Sequence, residues 1–449
     1  MRPLVRPLVF AFAVAPLLAQ QGSITELRVR ETVAWLADDA RGGRASGSPE
    51  LEQVADWIIA RFEAAGLQPV RSAFAHDFVL PGLALDSGAV QLLLQRTVDG
   101  KTTDHRFEPG KQVRQWTAAD VVEGDVEPCT VATFGDRVLQ LQIDSGSARR
   151  PIIVEVDEQH PYWLASQGVH QVLGKRRRAA RPVLLVSKGL LPANPPDGRE
   201  VGWTATWSVA PAEKGEVPQR NVLALLPGTT KKDEYVLVSA HYDHIGKGSP
   251  VGGDHINNGA DDDASGTTAV ILLAEAMAKM PPPARSVLFV CFAAEERNLL
   301  GSAAFAERPP VPLEQVVANL NIEMIGRPLE GNQGKAWITG RELSDFAAIA
   351  AEALGRGDVQ VVDFPLASRL FAQSDNFSLA RRGVVAHSVS AGSLHEDYHQ
   401  PGDEVAKLDL PHMTKIIRGL LELTLELANR EAAPQWNEKG KQQIERLRR

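Results

Sequence analysis

The sequence predicts an α/β protein in which a sheet carries helices on both faces and a β-rich insert interrupts the chain. Three observations predict it. Apolar, β-branched runs at 221–226, 235–240, 286–292, 316–322 and 383–389 alternate with helical stretches at 264–280, 344–354 and 410–429. His, Asp or Glu follows the later four of those runs and opens the 264–280 helix, and the carboxyl ends of strands are where such sheets build sites. From about 78 to 217, short apolar runs are separated by Gly, Pro, Asp and charged residues, the texture of a β-rich unit.

In chain order, Arg2 and Arg6, the apolar run 7–18 and Ala19 beside Gln20 and Gln21 have the layout of a secretory signal peptide cleaved after Ala19. That run is too short to span a bilayer comfortably, so the mature protein is expected to be exported, periplasmic or extracellular, and free of a stable membrane span. Ser48 can cap a helix to Gly66, with Pro49 and Glu50 suited to its first turn and Leu51, Val54, Ala55, Ile58 and Phe62 as its apolar stripe. The insert holds Trp116, Trp163, Trp203 and Trp207 but no cluster of His, Cys or acids at ligand spacing. Three prolines, 281–283, stop the 264–280 helix, and the residues after Glu431 read as a polar, frayed tail. The domain reading is a signal peptide at 1–19, a helical part of the main domain at 22–77, the insert at 78–217, the main domain at 218–430 and the tail at 431–449.

At 449 residues, 44% hydrophobic and 23% charged, the chain can bury a large core and form more than one domain. Its net charge of −8, or −10 without Arg2 and Arg6, argues against a nucleic-acid partner. The basic run 175–178 reads as a solvated loop. With only Cys129 and Cys291, and Cys291 inside a core strand, no disulfide framework is indicated.

The chemistry gathers at the strand ends. His241 and Asp243 follow one run, Asp261, Asp262 and Asp263 open a helix, Glu295 and Glu296 follow another run, Glu323 ends a fourth, and His395, His399 and their acidic neighbours follow the last. Glu295 and Glu296 alone read as a solvated surface pair. In extended backbone, however, adjacent side chains point to opposite faces, so one can bind a metal while the other moves a proton. Two imidazoles with several carboxylates suit zinc, and two zinc ions would be balanced by Asp262, Glu296, Glu323 and one bridging hydroxide.

The segments 240–246 (AHYDHIG), 258–266 (NGADDDASG), 294–296 (AEE), 324–326 (MIG) and 397–399 (DYH) resemble the co-catalytic dizinc aminopeptidase family, which is related to glutamate carboxypeptidases and glutaminyl cyclases. The resemblance covers about 221–429 and also 36–67. It implies a zinc-peptidase α/β/α sandwich with a mixed central sheet, the insert standing where relatives carry a protease-associated domain. It implies metal ligands His241, Asp262, Glu296, Glu323 and His399, with Asp262 as the bridge, chosen over its neighbours by its four-residue spacing to Gly266. Glu295 takes the general-base position, Tyr398 a position that helps hold the oxyanion, and Asp243 that of the acid orienting His241. The cofactor it implies is two Zn2+ ions, with Co2+ or Mn2+ as alternatives, and the substrates it implies are peptides with a free N-terminus.

The implied activity is an exported zinc-dependent aminopeptidase in which a metal-bridging hydroxide attacks and Glu295 acts as general base. A carboxypeptidase or dipeptidase of the same family, a glutaminyl-cyclase-like transferase and a receptor-like binding protein are the alternatives. Two departures stand out: Glu323 where many relatives have Asp, and Gln373 and Asn376 flanking Ser374-Asp375 where relatives often have Arg and His. His244, His255, His387 and His395 are read as loop or core histidines satisfied by hydrogen bonds.

Overall fold

The computed structural model describes residues 23–133, 150–173, 178–192 and 201–448, so the signal-peptide reading at 1–19 and most of the basic run 175–178 lie outside the described residues. The chain divides into two compact units, Met1–Phe78 with Gln219–Arg449, and Val79–Pro218.

The part of the sheet that lies in the first unit includes β1 (Glu213–Leu226, from 219 onward), β2 (Lys231–His241), β5 (Arg285–Phe292), β6 (Val316–Ile322), β7 (Lys335–Ile338), β8 (Gln360–Val361) and β9 (Ala386–Ser390). A hairpin of β3 (Gly246–Val251) and β4 (Asp254–Asn257) stands apart. The sheet order is β8-β7-β9-β6-β2-β5-β1. Strands β9, β6, β2 and β5 run parallel, while β1 is antiparallel to β5 and β7, itself parallel to β8, is antiparallel to β9, which makes the sheet mixed. All eight residues of β5 are buried, as the continuous run of 286–292 demands of a strand covered on both faces.

Helices cover those faces. On one, Leu237, Leu288, Val290 and Phe292 meet Phe305 of α4 (Leu300–Glu307) and Leu379 of α6 (Asn376–Ala380). On the other lies α3 (Ala264–Met277), buried along its whole length beneath α1 (Glu26–Leu36), α2 (Pro49–Ala64) and α7 (Leu410–Asn429). The acid in the middle of that contact, Glu275, is paired with Arg28 of α1 and Arg61 of α2, so its charge is not buried alone. Ser48 caps α2 as expected, accepting from the Leu51 N–H at 3.1 Å. Helix α1, capped by Thr25, is an addition to the sequence reading.

Two expectations need correction. Where a frayed tail was expected over 431–449, Glu438–Arg448 forms α8, whose Ile444 is buried in the same core as Leu237 and Phe371. The polar composition hid it because one apolar face, Ile444 with Leu447 and the nearby Trp436, suffices for docking. Glu295 and Glu296 are not in extended backbone: β5 ends at Phe292, and Ala294, at φ +58°, turns the chain before the pair.

The second unit has its own seven-stranded sheet, ordered Lys101–Arg106, Val90–Val98, Trp203–Val209, Glu123–Thr133, Ile152–Val156, Val183–Ser187, Val113–Gln115. Trp116, Trp163 and Trp207 are buried in its cores. Both cysteines are free, and Cys291 is buried as a small hydrophobe in β5. No helix among the described residues is long and apolar enough to cross a membrane.

Candidate metal centre

Sheet register brings the site together. His241 stands level with Phe292 across β2 and β5, and Ser239 is level with Asn321 across β2 and β6. The residues that follow β5 and β6 therefore emerge beside His241. The loop before α3 adds three aspartates, which have different duties. Asp263 caps α3 through Gly266 N–H (3.0 Å) and accepts from Met324 N–H (3.0 Å). Asp261 Oδ1 accepts from Gly326 N–H (2.6 Å). Asp403 receives the Asp261 and Asp262 N–H groups, each at 3.1 Å. With Asp263 and one oxygen of Asp261 committed to backbone, Asp262 is the aspartate that faces His241 and His399.

Its two oxygens face different partners. Asp262 Oδ1 lies 3.2 Å from His241 Nε2, which is itself 3.4 Å from Glu323 Oε1. Asp262 Oδ2 lies 3.2 Å from His399 Nε2, which is 3.3 Å from Glu296 Oε1. Two groups of donor atoms result, each within 4.8 Å: His244, Asp262, Glu296 and His399; and His241, Glu295 and Glu323. The sequence-derived ligand residues thus come together, with Asp262 between the two ends. Glu323 reaches the cluster with its longer side chain: Oε1 faces His241 while Oε2 accepts from Ser374 Oγ at 2.6 Å.

His244 was missed. It is fully buried, its Nδ1 lies 2.8 Å from Glu296 Oε1 without hydrogen-bond alignment, and neither ring nitrogen has a hydrogen-bond partner. The clue available in sequence was its place one residue after Asp243, but spacing alone does not tell a ligand from a loop histidine. His387 behaves differently, contacting Ser344 Oγ and Thr339 O at 2.7 Å each, while His395 is half satisfied: Nδ1 contacts Arg327 Nη1 at 3.0 Å and Nε2, without a hydrogen-bond partner, lies 3.5 Å from Asp261 Oδ2. His255 stands half-buried in the β3–β4 hairpin. Arg44, which no pattern in the sequence marks out, is also fully buried and donates to the main-chain oxygens of Leu36, Tyr242, Asn258 and Gly259. It thereby ties the loop after His241 to the loop before Asp261.

Asp243 works through its surroundings more than through the His241 ring. His241 Nδ1 contacts the Asp243 main-chain oxygen at 3.1 Å and the carboxylate only at 3.8 Å. The carboxylate instead accepts from Ser46 Oγ (2.8 Å) and from the Glu295 N–H (3.1 Å), which fixes the backbone of that glutamate. Tyr398 stacks on His399 with ring centroids 4.0 Å apart.

Charge in the site favours a cation. Burial alone would protonate Asp262, yet the His241 and His399 imidazoles hold it well below the ordinary carboxylate range. Burial and Asp262 act against the charge of Glu296, but His244 and His399 bring it down to about 2. Burial likewise disfavours a charged His399, and the same two acids push it up to about 10. Glu295 goes the other way, raised by burial and, despite His241, by Asp375 and Glu323. Buried Asp262 Oδ2, Glu296 Oε1 and His399 Nε2 lack hydrogen-bond partners. Imidazoles, carboxylates and orphaned buried donor atoms together fit zinc.

Two cavities meet at Glu295, Gln373 and Tyr398. One, of about 130 Å³, is lined by the acids of the site together with Trp337, Leu370 and Leu394, and by no Lys or Arg. The other, of about 470 Å³, is a more open groove leading past Phe377 to Arg381.

Residues 221–424 match the model of peptidase family M28. A leucine aminopeptidase 1 from Ajellomyces capsulatus is 32% identical over 237 residues, 49% of this chain and 59% of that protein. A probable leucine aminopeptidase from Trichophyton verrucosum is 29% identical over 218 residues, 46% of this chain and 57% of that protein. This chain thus spans less than two thirds of the length of those relatives. Among solved structures, a zinc aminopeptidase from Bacillus subtilis aligns with TM-score 0.56 over 91% of this chain and 97% of its own, at 16% identity, a likeness of fold.

Proposed function

We propose, on the premise that residues 221–424 are a peptidase family M28 domain, that this protein is a zinc-dependent aminopeptidase that removes the first residue of a peptide. One observation carries the direction of cleavage. The more enclosed cavity, of about 130 Å³, is lined by Glu295, Glu323 and Asp262 and by no Lys or Arg. A peptide's ammonium end finds a carboxylate partner there in Glu295, whereas a C-terminal carboxylate would find no Lys or Arg side chain to pair with. Trp337, Leu370 and Leu394 then receive an apolar first side chain.

His241, Asp262 and Glu323 would hold one zinc, and Asp262, Glu296 and His399 a second, with His244 backing Glu296. Bound there, zinc supplies a Lewis acid that polarises a carbonyl and acidifies water. Glu295, its backbone fixed by Asp243 and its proton affinity raised by burial, takes a proton from the attacking water. It then returns that proton to the departing amine as the C–N bond breaks. Tyr398 keeps its phenol proton, because burial and then the site's acids disfavour the phenolate, and it donates to the developing oxyanion. Support for export lies in the 1–19 segment, and the Val79–Pro218 unit serves as an accessory insert of the peptidase.

The test is a leucine nitroanilide against an N-acetylated dipeptide, each before and after chelation. The free-amine substrate is expected to be cleaved and to lose cleavage with the metal. Faster release of the C-terminal residue from the blocked dipeptide would sink the reading.

A further inference from the structure

The open groove does not end where the 470 Å³ cavity does. A further hollow of about 560 Å³ continues it, sharing Ala303, Ser378 and Arg381 and adding Arg382. Charge changes sign along this path. Its inner end carries Glu295 and Glu296, its middle is neutral, and its outer end carries two exposed arginines on the turn that follows α6. No acid lines the outer hollow. Gln373, beside the catalytic end, is uncharged, so the first cation a substrate chain meets along the groove is Arg381.

A short peptide is charged in the same sense, with an ammonium at one end and a carboxylate at the other. We infer that Arg381 and Arg382 bind the C-terminal carboxylate of short peptide substrates, so that the groove reads peptide length as well as the first residue. The inference rests on the aminopeptidase reading, since it places the peptide's amine at the closed end. An arginine fork pairs with a carboxylate in a fixed geometry, so the gain is confined to peptides that span the groove. Longer peptides would carry a neutral amide past the same point.

The experiment uses the full chain loaded with zinc and a series of leucine-led peptides from two to five residues, each as free acid and as C-terminal amide. Leucine nitroanilide is run first: failure of the wild type to cleave it overturns the aminopeptidase reading, and this inference with it. Given that activity, kcat/KM for acid over amide is expected to reach about tenfold at one length, the size of a charge-assisted contact. That ratio should fall to about one in R381A/R382A and below one in R381E/R382E. Because each ratio is taken within one protein, changes in overall rate cancel. A ratio near one at every length in the wild type, or a ratio unmoved by the substitutions, overturns the inference. So does a series of amides in which an internal glutamate, and not the terminal carboxylate, restores the rate.

Discussion

His387 and His244 are both fully buried in the same unit. His387, in β9, has a partner at each ring nitrogen and is stacked on Phe346 with Phe371 and Trp436 close by. His244 lies against Glu296, Asp262 and His399 with neither nitrogen hydrogen-bonded. Burial is therefore no guide to which histidine serves chemistry. The kind of neighbour is: both nitrogens of His387 are hydrogen-bonded to a hydroxyl and a main-chain oxygen, whereas His244 sets Nδ1 2.8 Å from a carboxylate of the cluster.

Removing the base at the cluster that His244 serves should give the largest effect. Glu295→Ala is expected to lower kcat by about 10²- to 10⁴-fold with metal content unchanged. Normal turnover with zinc bound would remove the chemical half of the contrast. At the other histidine, the expected effect is on folding. Burial lowers the His387 pKa to about 4, so between pH 6.5 and 4 the unfolded chain takes up a proton that the folded one refuses. Stability is thus full above the unfolded value and falls as pH drops, by about 3 kcal/mol in all. Urea midpoints for wild type and His387→Gln at pH 7 and 4.5 should show that pH dependence shrinking in the variant.

Swapping the same change between the two sites sharpens the comparison. His244→Ala should weaken zinc retention by about 10- to 100-fold. His387→Ala should leave zinc affinity and kcat/KM as they were and cost about 1–3 kcal/mol of stability. Competition with a chromogenic chelator reads the first, and equal zinc loss in both variants would erase the distinction. The smallest effect is expected from Glu323→Asp. Withdrawing the carboxylate by one methylene forfeits the Ser374 hydrogen bond, about 1 kcal/mol, and kcat/KM should fall about fivefold. A loss as large as that of Glu295→Ala would mean that the longer side chain is indispensable to the centre.

Several features were legible because local rules decide them. Ser48-Pro49 starts a helix by capping chemistry, and the 286–292 run is buried because nothing polar interrupts it. Other features escaped because they depend on contacts far along the chain. Arg44 looks like a surface arginine in a glycine-rich stretch until Tyr242, Asn258 and Gly259 surround it. Helix α8 looks like a solvated tail until Ile444 finds the core. Asp243 was expected to steer an imidazole through its carboxylate, which instead holds the backbone of Glu295.

By itself the sequence determined the chemical vocabulary of this protein: which residue types follow which strands, and in what order. Side-chain identity and strand pattern are local properties, and they survive without knowledge of the fold. Only the tertiary structure decided how that vocabulary is used. Register set His241 beside the residues that follow β5 and β6, backbone hydrogen bonds occupied Asp263 and one oxygen of Asp261 while Asp262 faced His241 and His399, and the turn at Ala294 aimed Glu295 and Glu296. Packing alone closed one end of the cleft around acids and left the other open toward Arg381, because a cavity's shape and charge belong to residues that meet only when the chain is folded.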